Sequence, residues 1–177
     1  MRAIPYVPLD IDEPRELVAA IRARRGGTLL NLDRMLLHSP PLAAGWNTLL
    51  RAVRTELAVP PKLRELAMCA VAVLNHAEYE FHHHAPLFLG AGGTTSQLDA
   101  LRSVCDTGTE SPAFDKAERT VLMLAIEMTR TVQLGPTTLA AARDALADDG
   151  QLVEIVGVIA AYNMVSRVIV ALEIEPE

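Results

Sequence analysis

Aromatic residues are scarce, with one Trp, three Tyr and three Phe in 177 residues. Half of the chain is nevertheless apolar. Its core must therefore be built from Ala, Leu, Val and Ile, which suits close-packed helices. Lysine is nearly missing: only Lys62 and Lys116 occur, and the remaining cations are scattered arginines. With a formal charge of −6 and a pI near 5.4, the chain has no basic face for a phosphate backbone, and nucleic acid is not an expected partner. Cysteine occurs twice, at Cys69 and Cys105, too far apart for a zinc ribbon and too few for a disulfide framework. Strand signals are missing as well. β-branched residues do not alternate with polar ones, and Asp149-Gly150 joins two helical runs rather than two strands. No apolar run reaches the ~18 residues of a spanning helix, and no charged, then apolar, then small-residue leader is read. The expectation is a soluble cytoplasmic protein with no membrane partner.

What is present is helical periodicity broken by Pro and Gly. The expected architecture is an all-α bundle of about seven to eight helices in one domain over 1–177. Its core runs from about 29 to 172, behind an N-terminal arm and helix at 1–28. Asp10 or Asp12 is placed to cap the first helix, and Gly26-Gly27 to stop it. A short helix at 29–38 turns Leu29, Leu32 and Leu36 inward, and 42–58 carries Ala43, Trp46, Leu49, Leu50, Val53 and Leu57 at helical spacing. The stretch 63–92 reads as two helices, 63–74 and 77–89, bent at Asn75-His76, with Glu78 at a capping-box offset from Asn75. A short helix at 95–104 is followed by a polar loop, 106–111. Beyond it come an amphipathic helix at 115–134, an Ala-rich one at 137–146, and a last helix at 151–172. That last helix is apolar nearly all round, which implies burial on several sides and a subunit interface.

The chemistry concentrates in 63–92. Four of the five histidines fall between His76 and His84, among Glu65, Cys69, Glu78 and Glu80. Glu65 sits in an apolar run, where a carboxyl must be paired, hydrogen-bonded or protonated; the alternative is an exposed residue beside Lys62 or Arg64. Glu80 and His84 are four apart and His83 is three from Glu80, so these side chains share a helix face as a candidate proton-transfer pair. Glu65, Glu80, His84 and His83 are the catalytic candidates. His76, four before Glu80, joins that face as a substrate-binding candidate. Three successive histidines, at ~100° per residue, cannot all point one way, and His82 is the bystander. A solvated polar face at an oligomer groove explains the same residues.

No cofactor is expected. The lesser alternative is a metal held by His76, Glu80 and His83 or His84; the pattern is not HExxH. Cys69, one turn after Glu65, reads as an inert buried thiol, with redox chemistry as the minority alternative. Cys105, past a helix end, reads as half-exposed. On the last helix, Arg167 reads as a buried cation wanting an anion, with Glu65 or Glu154 as partner. Tyr162 and Asn163 add hydrogen-bonding groups. Arg167 and Tyr162 complete the substrate-binding set.

The run ELAMCAVAVLNHAEYEFHHHAPL, followed by LGAG, resembles the carboxymuconolactone decarboxylase and alkylhydroperoxidase D-like superfamily. ERTVLMLAIEMTR and VEIVGVIAAYNMVSRVIVAL are similar to the rest of that domain. The resemblance implies an all-α fold, self-association to a dimer, trimer or hexamer, and a small-molecule substrate. In the peroxide-reducing branch, a Glu and a His relay protons to a Cys-x-x-Cys. Carried onto this chain, the Glu is Glu65 and the His is His84, while the cysteine positions hold Ala77 and Glu80. The resemblance thus implies a thiol-less member, in which the two-thiol cycle cannot run at this site. The decarboxylase branch needs no thiol and keeps a Glu-x-x-x-His pair, here Glu80 and His84, with Arg167 for substrate carboxylates. The functions it implies are acid–base chemistry on a lactone or carboxylate, a peroxidase with a non-standard site, or a non-catalytic ligand-binding oligomer.

Overall fold

The computed structural model describes residues 4–107 and 111–177; part of the 106–111 loop lies outside the described residues. Among them there are nine α-helices and no strand, one helix more than the upper expectation. They fall into two compact units, one of residues up to Glu56 with Ala171–Glu177, the other Leu57–Val170.

The first unit holds α1 (Arg15–Arg24), α2 (Asn31–Leu36) and α3 (Pro40–Thr55). Neither Asp10 nor Asp12 caps α1: its N-cap is Pro14, and Glu13 accepts from the Arg15 amide. Gly26 and Gly27 leave the helix at φ 74° and 111°, backbone that a side chain resists. Both α1 and α2 pack on α3. Leu29, Leu32 and Leu36 point inward as expected, with Ala43, Trp46, Leu50 and Val53 of α3 buried. Leu49, expected inward, is exposed, because the buried stripe steps from 46 to 50 to 53. A buried carboxylate that sequence reading passed over ties this unit together. Asp33, only 2% exposed, accepts from Leu30 N (3.1 Å), Arg25 Nε (2.9 Å) and Nη2 (3.2 Å), and Arg24 Nη2 (3.2 Å).

The second unit is organised around α4 (Pro61–Leu74), which packs against α5 (Glu78–Gly90), α6 (Thr95–Thr107) and α7 (Lys116–Thr131). Every residue from Glu65 to Val73 is buried. Small side chains (Ala67, Ala70 and Ala72) let the neighbours approach on several sides, so α4, from Glu65 to Val73, is more enclosed than the last helix. The α4–α5 break falls at Asn75-His76 as expected, but Asn75 closes α4 and Ala77 is the N-cap of α5, without the expected capping box. His76 has φ 53°, a left-handed turn residue. Past α5, Gly93 lies against the buried ring of Phe88, where a methyl group would collide. A reciprocal capping box of Asp115 and Glu118 opens α7. Glu118 also takes Lys62 Nζ at 2.6 Å and Gln97 Nε2 at 2.9 Å, which joins the starts of α4, α6 and α7 through one buried carboxylate. Helix α8 (Pro136–Ala145) packs on α7.

Two expectations concern the last helix, α9 (Asp149–Ala171), and the second is corrected. The chain itself encloses only part of it, since Val153 is 71% exposed and Met164 and Val170 also face outward, so the full enclosure that its apolar surface suggests is not supplied within one chain. By length and composition its 23 residues could cross a membrane, so an apolar run of that size does occur; half of it is buried inside the protein, as a core helix is.

Candidate active site

Three helices of the second unit each deliver polar side chains into its interior. Helix α4 contributes Glu65. Helix α5 contributes Glu80 and His84, one turn apart. Helix α9 contributes Tyr162 and Ser166, also one turn apart. All five are buried.

His84 is held at both ring nitrogens. Its Nδ1 lies 2.7 Å from Glu65 Oε2, and its Nε2 lies 2.9 Å from the Tyr162 hydroxyl. The two rings meet edge to face, with centroids 4.9 Å apart. A carboxylate only accepts, so Glu65 fixes the proton on Nδ1, and Nε2 of the neutral ring accepts from Tyr162. One turn earlier, the Ser166 hydroxyl donates to Glu80 Oε2. The pairs 84–162 and 80–166 run in opposite sense along their chains, so α5 and α9 are antiparallel here. Arg64 Nε sits 3.7 Å from the other oxygen of Glu65, a cation at the edge of the cluster.

The expected Glu65 and His84 therefore converge, from neighbouring helices. Glu80 is on the same buried face, but the carboxylate on the imidazole is Glu65, not Glu80 of its own helix. Tyr162 is present as an imidazole partner. His83 is half-buried and meets the Tyr79 ring at a tilt of 55°, with centroids 4.4 Å apart, turned from the His84 face by the helical rotation. His82, read as the bystander, is exposed. His76 is corrected: in its left-handed turn it is exposed and does not share the Glu80 face. Arg167 is corrected too. It is exposed and folds back to Asn163, bonding its carbonyl at 2.7 Å and its side-chain oxygen at 2.8 Å. Among the described residues no three His, Cys, Asp or Glu are placed to hold a metal, which removes the His76-based ligand set. Sequence reading missed Ser166 and Arg64. The signal for Ser166 was there: residues 162 and 166 repeat on α9 the four-residue spacing of 80 and 84 on α5.

Neither thiol is exposed. Cys69 is enclosed in α4, and burial first, then the charges of Glu65 and Glu80, hold its pKa far above the ordinary thiol value. Cys105, expected half-exposed, is buried with its Sγ toward the Ala70 carbonyl, and burial with nearby Asp106 pushes its pKa up to about 12. Thiolate is the reactive form. Ellman's reagent at pH 8 should therefore find no thiol in the native protein and two after unfolding. Rapid reaction of either thiol in the native state would contradict the buried placement.

Residues 40–123 match the carboxymuconolactone decarboxylase family. Among solved structures, a peroxidase-related protein from Silicibacter sp. TM1040 is similar, at 18% identity and a TM-score of 0.80, over 99% of this chain and 90% of that one. An alkylhydroperoxidase AhpD core protein from Ralstonia eutropha JMP134 is similar at 16% identity and a TM-score of 0.79, over 99% and 92%. The debrominase Bmp8, in a cysteine-to-alanine form with 2,3,4-tribromopyrrole, is similar at 18% identity and a TM-score of 0.80, over 100% and 94%. These likenesses show the fold. No curated protein matches the sequence.

Proposed function

We propose that this chain, residues 40–123 of which match the carboxymuconolactone decarboxylase family, is a member of the carboxymuconolactone decarboxylase and alkylhydroperoxidase D-like superfamily and an acid–base enzyme acting on a small carboxylate or lactone. Glu65, His84 and Tyr162 form its proton relay. The observation that supports this is the pair of hydrogen bonds at 2.7 and 2.9 Å on the two nitrogens of one buried imidazole. Nε2 accepts the phenolic proton as Tyr162 takes one from the substrate, and Glu65 stabilises the imidazolium that results. In the reverse direction the imidazolium returns a proton through Tyr162 to the substrate. Glu80, bonded to Ser166, is the second carboxyl group at hand. Arg64, beside Glu65, takes the substrate-anchoring role first assigned to Arg167.

The peroxidase reading has less support. Ala77 and Glu80 stand where the resemblance puts the thiols, and Cys69 is buried with a raised pKa. The non-catalytic reading loses ground because Glu65 and His84 meet each other rather than lying apart. Self-association to a dimer, trimer or hexamer belongs to the proposal, supported by the exposed Val153, Met164 and Val170 of α9. A cytoplasmic location belongs to it as well.

The test is a panel of γ-lactone carboxylates, β-keto acids and hydroperoxides, assayed with the intact protein and with His84→Gln. Turnover of an acid or lactone is expected, falling about 10²–10⁴-fold in the variant at unchanged helicity. Undiminished turnover in His84→Gln sinks the relay. Peroxide consumption that survives His84→Gln but is lost on alkylation would favour the thiol reading.

A further inference from the structure

A cavity of about 380 Å³ lies between α6, α7 and α8 in the second unit, and none of its lining residues belongs to the acid–imidazole–phenol cluster. Its volume is at the lower end of the ~300–1,000 Å³ typical of small-molecule sites. Val104, Phe114, Leu122 and Met123 give it apolar walls, and Thr120 and Arg119 bring polar groups. Phe114 offers a flat face and Met123 an adaptable one, which suits a planar ring.

The cations at this cavity are not equivalent. Lys116 is paired with Asp144 of α8 in an exposed ion pair, and the lysine lowers the carboxyl pKa of that aspartate. Among the described residues Arg119 has no acidic partner. One of its Nη groups donates to the Phe114 carbonyl, and its other donors are taken by no described residue. A guanidinium with donors to spare beside apolar walls selects a planar, bidentate anion on an apolar body. One open cation selects one negative charge.

We propose that this cavity is a second, separate ligand site for a small aromatic monocarboxylate, with Arg119 as its anchor. The carboxylate sits on the guanidinium, and the ring lies between Phe114 and Met123. The assignment does not rest on the proposed relay chemistry, and the two can fail independently.

The test is titration of the whole protein with 2-naphthoate, followed by calorimetry and by amide shifts in proton–nitrogen spectra. Saturable binding is expected, with shifts concentrated in α6–α8. Arg119→Gln should weaken it about tenfold or more, the neutral 2-naphthamide should bind about tenfold more weakly, and Ala141→Phe at the exposed rim should abolish it. His84→Gln should leave it unchanged. Absence of saturable binding, equal binding of acid and amide, indifference to Arg119→Gln, or shifts centred on Glu65 and His84 would each overturn the proposal. Should Arg119→Gln lower the melting temperature, the amide comparison on the unaltered protein and Ala141→Phe still decide it.

Discussion

Glu65→Ala should destabilise the protein by about 2–4 kcal/mol, the cost of stripping a charged acceptor from a buried imidazole N–H and of the cavity left behind. Three losses combine. The Nδ1–H of His84 loses its acceptor at 2.7 Å in a place with little water, Arg64 loses its nearest counter-charge, and a gap opens in a closely packed helix. Glu65→Gln keeps the volume and one acceptor oxygen, and its cost should be nearer ~1–2 kcal/mol. Guanidinium unfolding curves measure both, and the alanine variant should melt roughly 10 °C lower in a chain of this size. A cost below ~1 kcal/mol for Glu65→Ala would mean that water solvates the cluster, and the enclosed relay would go with it. Pairing Glu65→Ala with Tyr162→Phe should give a non-additive sum, because both bonds converge on one ring.

An effect of similar size is expected in the first unit. Asp33→Ala should cost about 3–5 kcal/mol. One carboxylate there gathers four N–H donors: two from Arg25, one from Arg24 and the Leu30 amide. Without it, two adjacent guanidinium groups face each other half out of water. Arg24 already feels this, since burial and then Arg25 lower its pKa, and Asp33 opposes them. Helix α2 has six residues, too few to hold itself together without tertiary contacts. Hydrogen exchange should show α2 opening first in the variant, ahead of α4. Asp33→Asn, which can still accept from Leu30 N, should recover part of the loss. Equal protection of α2 in Asp33→Ala and the unaltered chain would show that the arginines stabilise nothing there.

The sequence disclosed a good deal of this arrangement. The Asn75-His76 break and the inward Leu29, Leu32 and Leu36 follow from periodicity, and the need of Glu65 for a partner follows from the cost of a lone buried carboxyl; spacing alone, however, set Glu80 on His84 and offered Arg167 to Glu65, and only the family resemblance brought Glu65 and His84 into one relay. Other parts could not be read so. Helix α9 is apolar on so many sides that its pattern names no inner face, and Arg167 was put inside on the assumption that everything there is buried. Residues 162 and 166 share a face; 167 is a further ~100° round, toward solvent. His76 was lost for another reason. Its spacing to Glu80 presumes one continuous helix, and the left-handed turn at φ 53° ends that continuity. Asp33 is a polar residue in a short amphipathic helix, and only the tertiary approach of Arg24 and Arg25 makes it central.

The two antiparallel rungs between α5 and α9 act as a vernier. A helix advances about 1.5 Å per residue and turns about 100°, so a slip of one residue disengages serine from acid and phenol from imidazole together. A slip one way sets Ala161 and Val165, which cannot hydrogen-bond, in their places; a slip the other way brings Asn163 and Arg167, of different length and shape. Thermal creep between these helices is thereby converted from a gradual slide into an all-or-none disengagement, and the imidazole keeps one address for as long as the bundle stays closed.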